Sequence, residues 1–77
     1  MAHQSETLDG MDVRTIQDRI HGWILAQTAH APINAQRIMF ETHMTEAQAQ
    51  FGLAKAQEDD LLVTDGPETW KRAWIPF

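Results

Sequence analysis

Gln48 and Gln50 are the side chains best suited to reading a nucleic acid, because a carboxamide can donate to and accept from an adenine edge in a major groove. Lys55, Lys71 and Arg72 can hold phosphates beside them, and Arg14 and Arg19 can add further backbone contacts. The count of charges opposes this chemistry. Each phosphate contact needs a cation, and 6 bases stand against 11 acids, leaving a net charge of −5 that repels phosphate and favours basic partners. A second chemistry uses the same stretch differently. Ala47 and Phe51, with Phe40 upstream, can form an apolar strip, and Glu46, Glu58, Asp59 and Asp60 can face a basic groove on another protein. The acidic run "QEDDLL" falls where a helix ends, a place that disfavours negative charge, and this hints at a use other than local stability.

Other chemistries have little to stand on. Of the four histidines, His3, His21, His30 and His43, none pairs at a spacing of four and none belongs to a metal-binding motif. Ser5 is the only serine, there is no cysteine, and no glycine-rich loop could cradle a phosphate, so we expect no enzyme, no metal and no cofactor. A chain of 77 residues is also short for a pocket that encloses a small-molecule substrate.

The bulk composition points to one small folded domain. Hydrophobic residues make up 43% and charged ones 22%, and three Trp with three Phe supply core material that disordered chains lack. Without cysteine, a reducing cytoplasm is the simplest setting. No stretch approaches the roughly 20 apolar residues needed to span a bilayer, and no secretory signal is legible, so no membrane partner is expected.

The elements that must position these residues are punctuated by caps. Residues 1–11 read as a flexible polar leader and residues 12–77 as the domain. Asp12 is the natural cap of a first helix whose inner face carries Val13, Ile16, Ile20, Trp23, Ile24 and Gln27. Gly22 within it suggests a close approach by a neighbouring element. "AHAPIN" ends that helix, and Asn34 caps a second, with Ile33 stapled onto Ile38 and Ala35, Ile38, Met39 and Thr42 facing inward. Thr45 with Gln48 is a capping box that opens a third helix from Glu46 to about Glu58. Two stripes compete for its inner face: Ala49, Leu53 and Ala56 on one side, Ala47, Phe51 and Ala54 on the other. Then the period changes. "LLVT", the turn "DGPE" and "TWKRAWI" read as a β-hairpin with Trp70, Arg72 and Trp74 alternating against Lys71, Ala73 and Ile75. Trp23, Trp70 and Trp74 are expected to pack together where the hairpin covers the first helix.

Over residues 13–75 this order resembles the winged helix-turn-helix superfamily: "PINAQRIMF" looks like the opening of its second helix, "MTEAQAQFGLAKAQ" like its recognition helix, and "DDLLVTDGPETWKRAWI" like the lead into its wing. The resemblance implies a mainly α fold with a small β-hairpin. It places Glu46, Ala47, Gln48, Gln50 and Phe51 outward, with Ala49, Leu53 and Ala56 inward, and puts Lys71 and Arg72 on the wing's return strand. The chain departs from the pattern in three ways: the recognition helix lacks the usual cations ahead of Lys55, Asp60 stands where a glycine often precedes the wing, and Thr42 stands where a larger apolar residue normally completes the second helix.

These features lead to the expectation of a non-enzymatic acidic module, monomeric or homodimeric, that binds a protein partner with a basic surface through Phe40, Glu46, Ala47, Phe51, Glu58, Asp59 and Asp60. By analogy it is similar to small phage-type inhibitors or adaptors that occupy a basic nucleic-acid-binding site. The alternative is a small winged-helix transcription regulator that binds DNA as a dimer through Gln48, Gln50, Lys55, Lys71 and Arg72.

Overall fold

Three helices begin where side chains can satisfy the backbone N–H groups that a helix leaves open at its start. The Asp12 carboxylate accepts from the Arg14 and Thr15 amides and opens α1 (Val13–Leu25). The Asn34 side chain accepts from the Arg37 amide and opens α2 (Ala35–Thr42). Thr45 and Gln48 exchange hydrogen bonds as a capping box and open α3 (Glu46–Glu58). The computed structural model describes residues 6–73, with short strands flanking these helices: β1 (Thr7–Leu8) and β2 (Met11–Asp12) before them, β3 (Leu62–Thr64) and β4 (Trp70–Arg72) after. The result is a mainly α domain with a small β-hairpin in a winged-helix-like order.

The core is built from one stripe per helix. Ile16, Ile20 and Ile24 of α1 meet Ile38 of α2 and Ala49, Leu53 and Ala56 of α3, with Ile33 and Met44 closing the ends. This settles the choice of stripe on α3: Ala49, Leu53 and Ala56 are buried, while Ala47 and Ala54 are exposed. Helices α1 and α3 approach closely at Gly52, which is buried; a Cβ there would lie 2.1 Å from Cδ1 of Ile20. Gly22, by contrast, is exposed and has no neighbour within 4 Å of a built Cβ, so the close approach expected there occurs at Gly52 instead.

The wing is an antiparallel pair with Leu62 opposite Arg72, Val63 opposite Lys71 and Thr64 opposite Trp70. A third, minimal strand completes it: Ile33 and Trp70 exchange backbone hydrogen bonds of 2.7 and 2.8 Å, which ties β4 to the loop between α1 and α2. Trp23 and Trp70 both pack against the core, each with its own hydrogen-bond partner. Trp23 donates its indole N–H to Glu41 on α2, whereas Trp70 is pinned beside Ile33. Trp74 and Ile75, expected on the return strand, lie outside the described residues.

The chain ahead of α1 is not wholly the unstructured leader that its polarity suggested. Residues 7–12 form a hairpin whose two turn residues, Asp9 (φ 52°) and Gly10 (φ 84°), both have positive φ, the geometry of a tight I′-type connection. Leu8 and Met11 pack on the core. The aspartate–glycine pair was the local signal for this turn. Residues 1–5, including His3 and Ser5, lie outside the described residues.

Helix α3 ends in a Schellman motif. The Leu61 amide bonds the Ala56 carbonyl at 2.9 Å and the Asp60 amide bonds the Gln57 carbonyl at 3.1 Å, which requires Asp60 to adopt a left-handed conformation, φ 57°. A carboxylate beside a helix C-terminus is also poorly placed electrostatically. Asp60→Gly is therefore expected to stabilise the domain by about 1 kcal/mol, raising its melting temperature by roughly 4–8 °C. Thermal denaturation followed by circular dichroism tests this, and an unchanged or lower midpoint refutes it.

Candidate functional site

The surface between α3 and the wing contains a cleft of about 330 Å³. Glu46 and Gln50 reach it from the first two turns of α3, Asn34, Ala35 and Gln36 from the start of α2, and Pro67, Glu68, Thr69 and Trp70 from the wing. The wing holds its side in place through the Asp65 amide on the Thr69 carbonyl, 2.9 Å, and through the backbone pairing of Trp70 with Ile33. Glu46 and Glu68 are exposed, and among the described residues neither makes a hydrogen bond or an ion pair with a side chain. No lysine or arginine lines the cleft. Its charge is therefore negative, and its polar groups include three carboxamides and one threonine hydroxyl.

Gln50, Glu46 and Ala47 are exposed on α3 as expected. Gln48 is not. It is only 4% exposed, its Oε1 accepts from the Thr45 amide, and its Nε2 donates to the backbone carbonyls of Leu8 at 3.0 Å and Asp9 at 3.4 Å. The N-terminal hairpin consumes the very donor that a base edge would need. Asp9 adds a second tie, accepting the Thr45 hydroxyl at 2.6 Å. Gln48 therefore holds the N-terminal hairpin to α3 and does not face a nucleic acid, contrary to the outward position that the resemblance implies.

Phe51 is half-buried and packs against the core cluster, with the Lys55 ammonium 5.6 Å from its ring centroid. It does not stand free as an anchor. Phe40 does, at 83% exposure on the outer side of α2, so Phe40 and Phe51 do not form one exposed strip. The carboxylates expected to act together are also divided. Glu46 opens α3 and Glu58 closes it, about 18 Å apart at the rise of a helix. Glu58 lies 3.8 Å from Lys55, Asp59 lies 3.7 Å from Nε2 of His21, and Asp60 takes the left-handed position just after the helix.

The cations expected to hold phosphate are mostly occupied or recessed. Lys55 faces Glu58 and Phe51, Lys71 and Arg72 are half-buried, and Nε of Arg72 is buried with no partner among the described residues. Arg37 is committed to a clasp between α1 and α2. Its Nε donates to Glu41 at 2.9 Å, its Nη2 donates to Gln27 at 3.0 Å, its Nη1 donates to the Pro32 carbonyl, and its guanidinium lies 5.1 Å from the Trp23 ring centroid. Arg14 and Arg19 are exposed on α1, the helix that covers the buried side of α3.

The Trp23 indole N–H and then the Arg37 guanidinium hold the Glu41 carboxyl below its ordinary value of 4.5, against a smaller opposing effect of desolvation. A carboxyl whose folded pKa is depressed adds stability above its unfolded value and loses it as pH falls through the folded value. Glu41→Gln is therefore expected to flatten the fall in melting temperature below pH 4.5, while melting at neutral pH drops modestly because Arg37 loses its charged partner. Melting curves across an acid series check this; parallel curves for the two proteins would exclude a role for Glu41 in acid sensitivity.

Sequence reasoning missed Asn34, Ala35, Gln36, Pro67, Glu68, Thr69 and Trp70 as cleft residues. Glu68 was read only as part of a turn, and nothing local to the sequence brings the wing tip opposite the start of α2. Among the described residues, no helix is long and apolar enough to cross a membrane, and no group of three or more His, Asp or Glu is placed to hold a metal. Compared with protein-family models, curated proteins and solved structures, the chain matches none of them.

Proposed function

We propose that this chain is a non-enzymatic acidic module that binds a protein partner through α3 and the wing, acting as an inhibitor or adaptor at a basic site on that partner. The observation that supports this reading most directly is the sign of the cleft. In a winged-helix-like arrangement the space between the third helix and the wing is where a phosphate backbone would lie, and here Glu46 and Glu68 face it without a single lining cation. Coulomb repulsion from two carboxylates disfavours a polyanion there and attracts lysine or arginine on a partner. Gln50 and Thr69 supply hydrogen-bonding groups that suit a polar protein contact.

The competing reading, a DNA-binding regulator, retains Gln50, Lys55, Lys71 and Arg72 but loses Gln48 to the N-terminal hairpin. A mobility-shift assay on random duplex DNA at low salt separates the two. We expect no retained band at micromolar protein. A retained band that Lys71→Ala together with Arg72→Ala abolishes would establish the regulator instead.

A further inference from the structure

We propose that the cleft between α3 and the wing is a subsite for one arginine side chain of the partner, and that it discriminates arginine from lysine. The inference rests on the reading above and adds the chemistry of the group that enters. The half-buried Trp70 is among the residues that line the cleft, with two acidic residues, Glu46 and Glu68, from different elements and two carboxamide residues, Gln36 and Gln50, from two helices. A guanidinium is planar and carries five N–H donors, so it can lie against an indole while donating to acceptors on more than one side. An ammonium is a compact point charge with three donors and a tightly held hydration shell, and it uses such a dispersed acceptor set poorly. The volume also fits. About 330 Å³ exceeds what a lone ammonium needs and lies at the small end of ligand pockets, which suits one long side chain rather than a folded loop.

The geometry also accounts for why the site stays available. Arg37, the internal arginine on α2, is held by Glu41, Gln27 and the Pro32 carbonyl, and Lys55 is held near Glu58. Neither lines the cleft, so the two carboxylates there keep their charge for an incoming group.

The test is a two-dimensional amide NMR titration of the full chain with three short peptides of identical sequence that carry arginine, lysine or citrulline at their central positions. The arginine peptide is expected to shift the Trp70 indole, the Gln50 side-chain amide and the Glu68 backbone amide, and to bind about tenfold more tightly than the lysine peptide. Citrulline, isosteric but neutral, is expected not to bind. Glu46→Gln and Glu68→Gln should each weaken the arginine peptide several-fold, whereas Asp18→Asn, on the exposed side of α1, should not. Unchanged melting of each variant shows that the fold is intact, and Glu46→Ala serves if Glu46→Gln unfolds the chain. Equal binding of arginine and lysine peptides at these residues would overturn arginine selectivity but leave the basic-partner reading in place. Failure of both cationic peptides to shift the cleft residues would overturn both.

Discussion

Gly52→Ala is expected to lower the melting temperature of this domain by roughly 8–24 °C. Alanine has the better helix propensity by about 1 kcal/mol, so on local grounds the substitution should stabilise α3. The packing says otherwise: the new Cβ would lie 2.1 Å from Cδ1 of Ile20 and 2.9 Å from both Cβ and Cγ1 of the same residue. Rotating the Ile20 side chain relieves the first contact but not the one to its Cβ, so α1 and α3 must separate. Overpacking of this kind costs about 1–3 kcal/mol and sometimes more; at an inter-helix crossing we expect about 2–3 kcal/mol net, which converts to the stated shift at 4–8 °C per kcal/mol. Gly22→Ala is the matched control, since a Cβ at that exposed helical position meets nothing within 4 Å and only the propensity gain of about 1 kcal/mol remains. Chemical denaturation of the two variants should thus move the midpoint in opposite directions. A double-mutant cycle adds a second check: Ile20→Ala should cost less in the Gly52→Ala background than in the parent, because one substitution partly vacates the space the other demands. Additive effects would show that the two residues do not contend for the same volume.

The second large effect is expected at Gln48→Glu. Glutamate is an ordinary partner in a capping box, so a helix considered alone should accept it without loss. Here Oε1 can still receive the Thr45 amide, but the amide nitrogen that donates to Leu8 and Asp9 becomes a second carboxylate oxygen facing two carbonyls, with the Asp9 carboxylate nearby on Thr45. Lost donation from a buried group and the new repulsion together are expected to cost about 2–3 kcal/mol. The damage should be local. Amide hydrogen exchange ought to accelerate across residues 7–12 well before the middle of α3, and lowering the pH to protonate the new side chain should restore part of the protection. Uniform acceleration throughout the chain would show that the hairpin is not a separate unit held by this residue. Gln48→Ala should release the hairpin similarly but without the pH-dependent recovery.

These two residues also mark how far the sequence could be read. The starts of the helices were legible because each depends on groups within four positions: Asp12 with Arg14, Asn34 with Arg37, and Thr45 with Gln48. The core stripe on α1 was legible for a similar reason, since three isoleucines spaced four apart leave one face to bury. Helix α3 resisted because alanine is indifferent to burial and Phe51 can lean either way; the deciding residue was Gly52, whose meaning depends on Ile20, more than thirty positions away. The role of Gln48 is not legible locally because its amide nitrogen finds acceptors some forty residues earlier, in a segment whose strands are only two residues long. The cleft unites α2, α3 and the wing tip, and no local pattern records that meeting. What the sequence did disclose was the surplus of acid, and the fold determined where it is displayed.

The junction of Ile33 with Trp70 has a mechanical consequence. This reciprocal pair of amide–carbonyl bonds fastens the ribbon to the helical trunk together with the packing of Leu61, Leu62 and Trp70 on the core. The same Trp70 lines the cleft, so the junction also sets one wall of it. Substitutions at the ribbon's tip, Pro67 to Thr69, can therefore reshape the mouth opposite Glu46 while the packed isoleucines stay where they are.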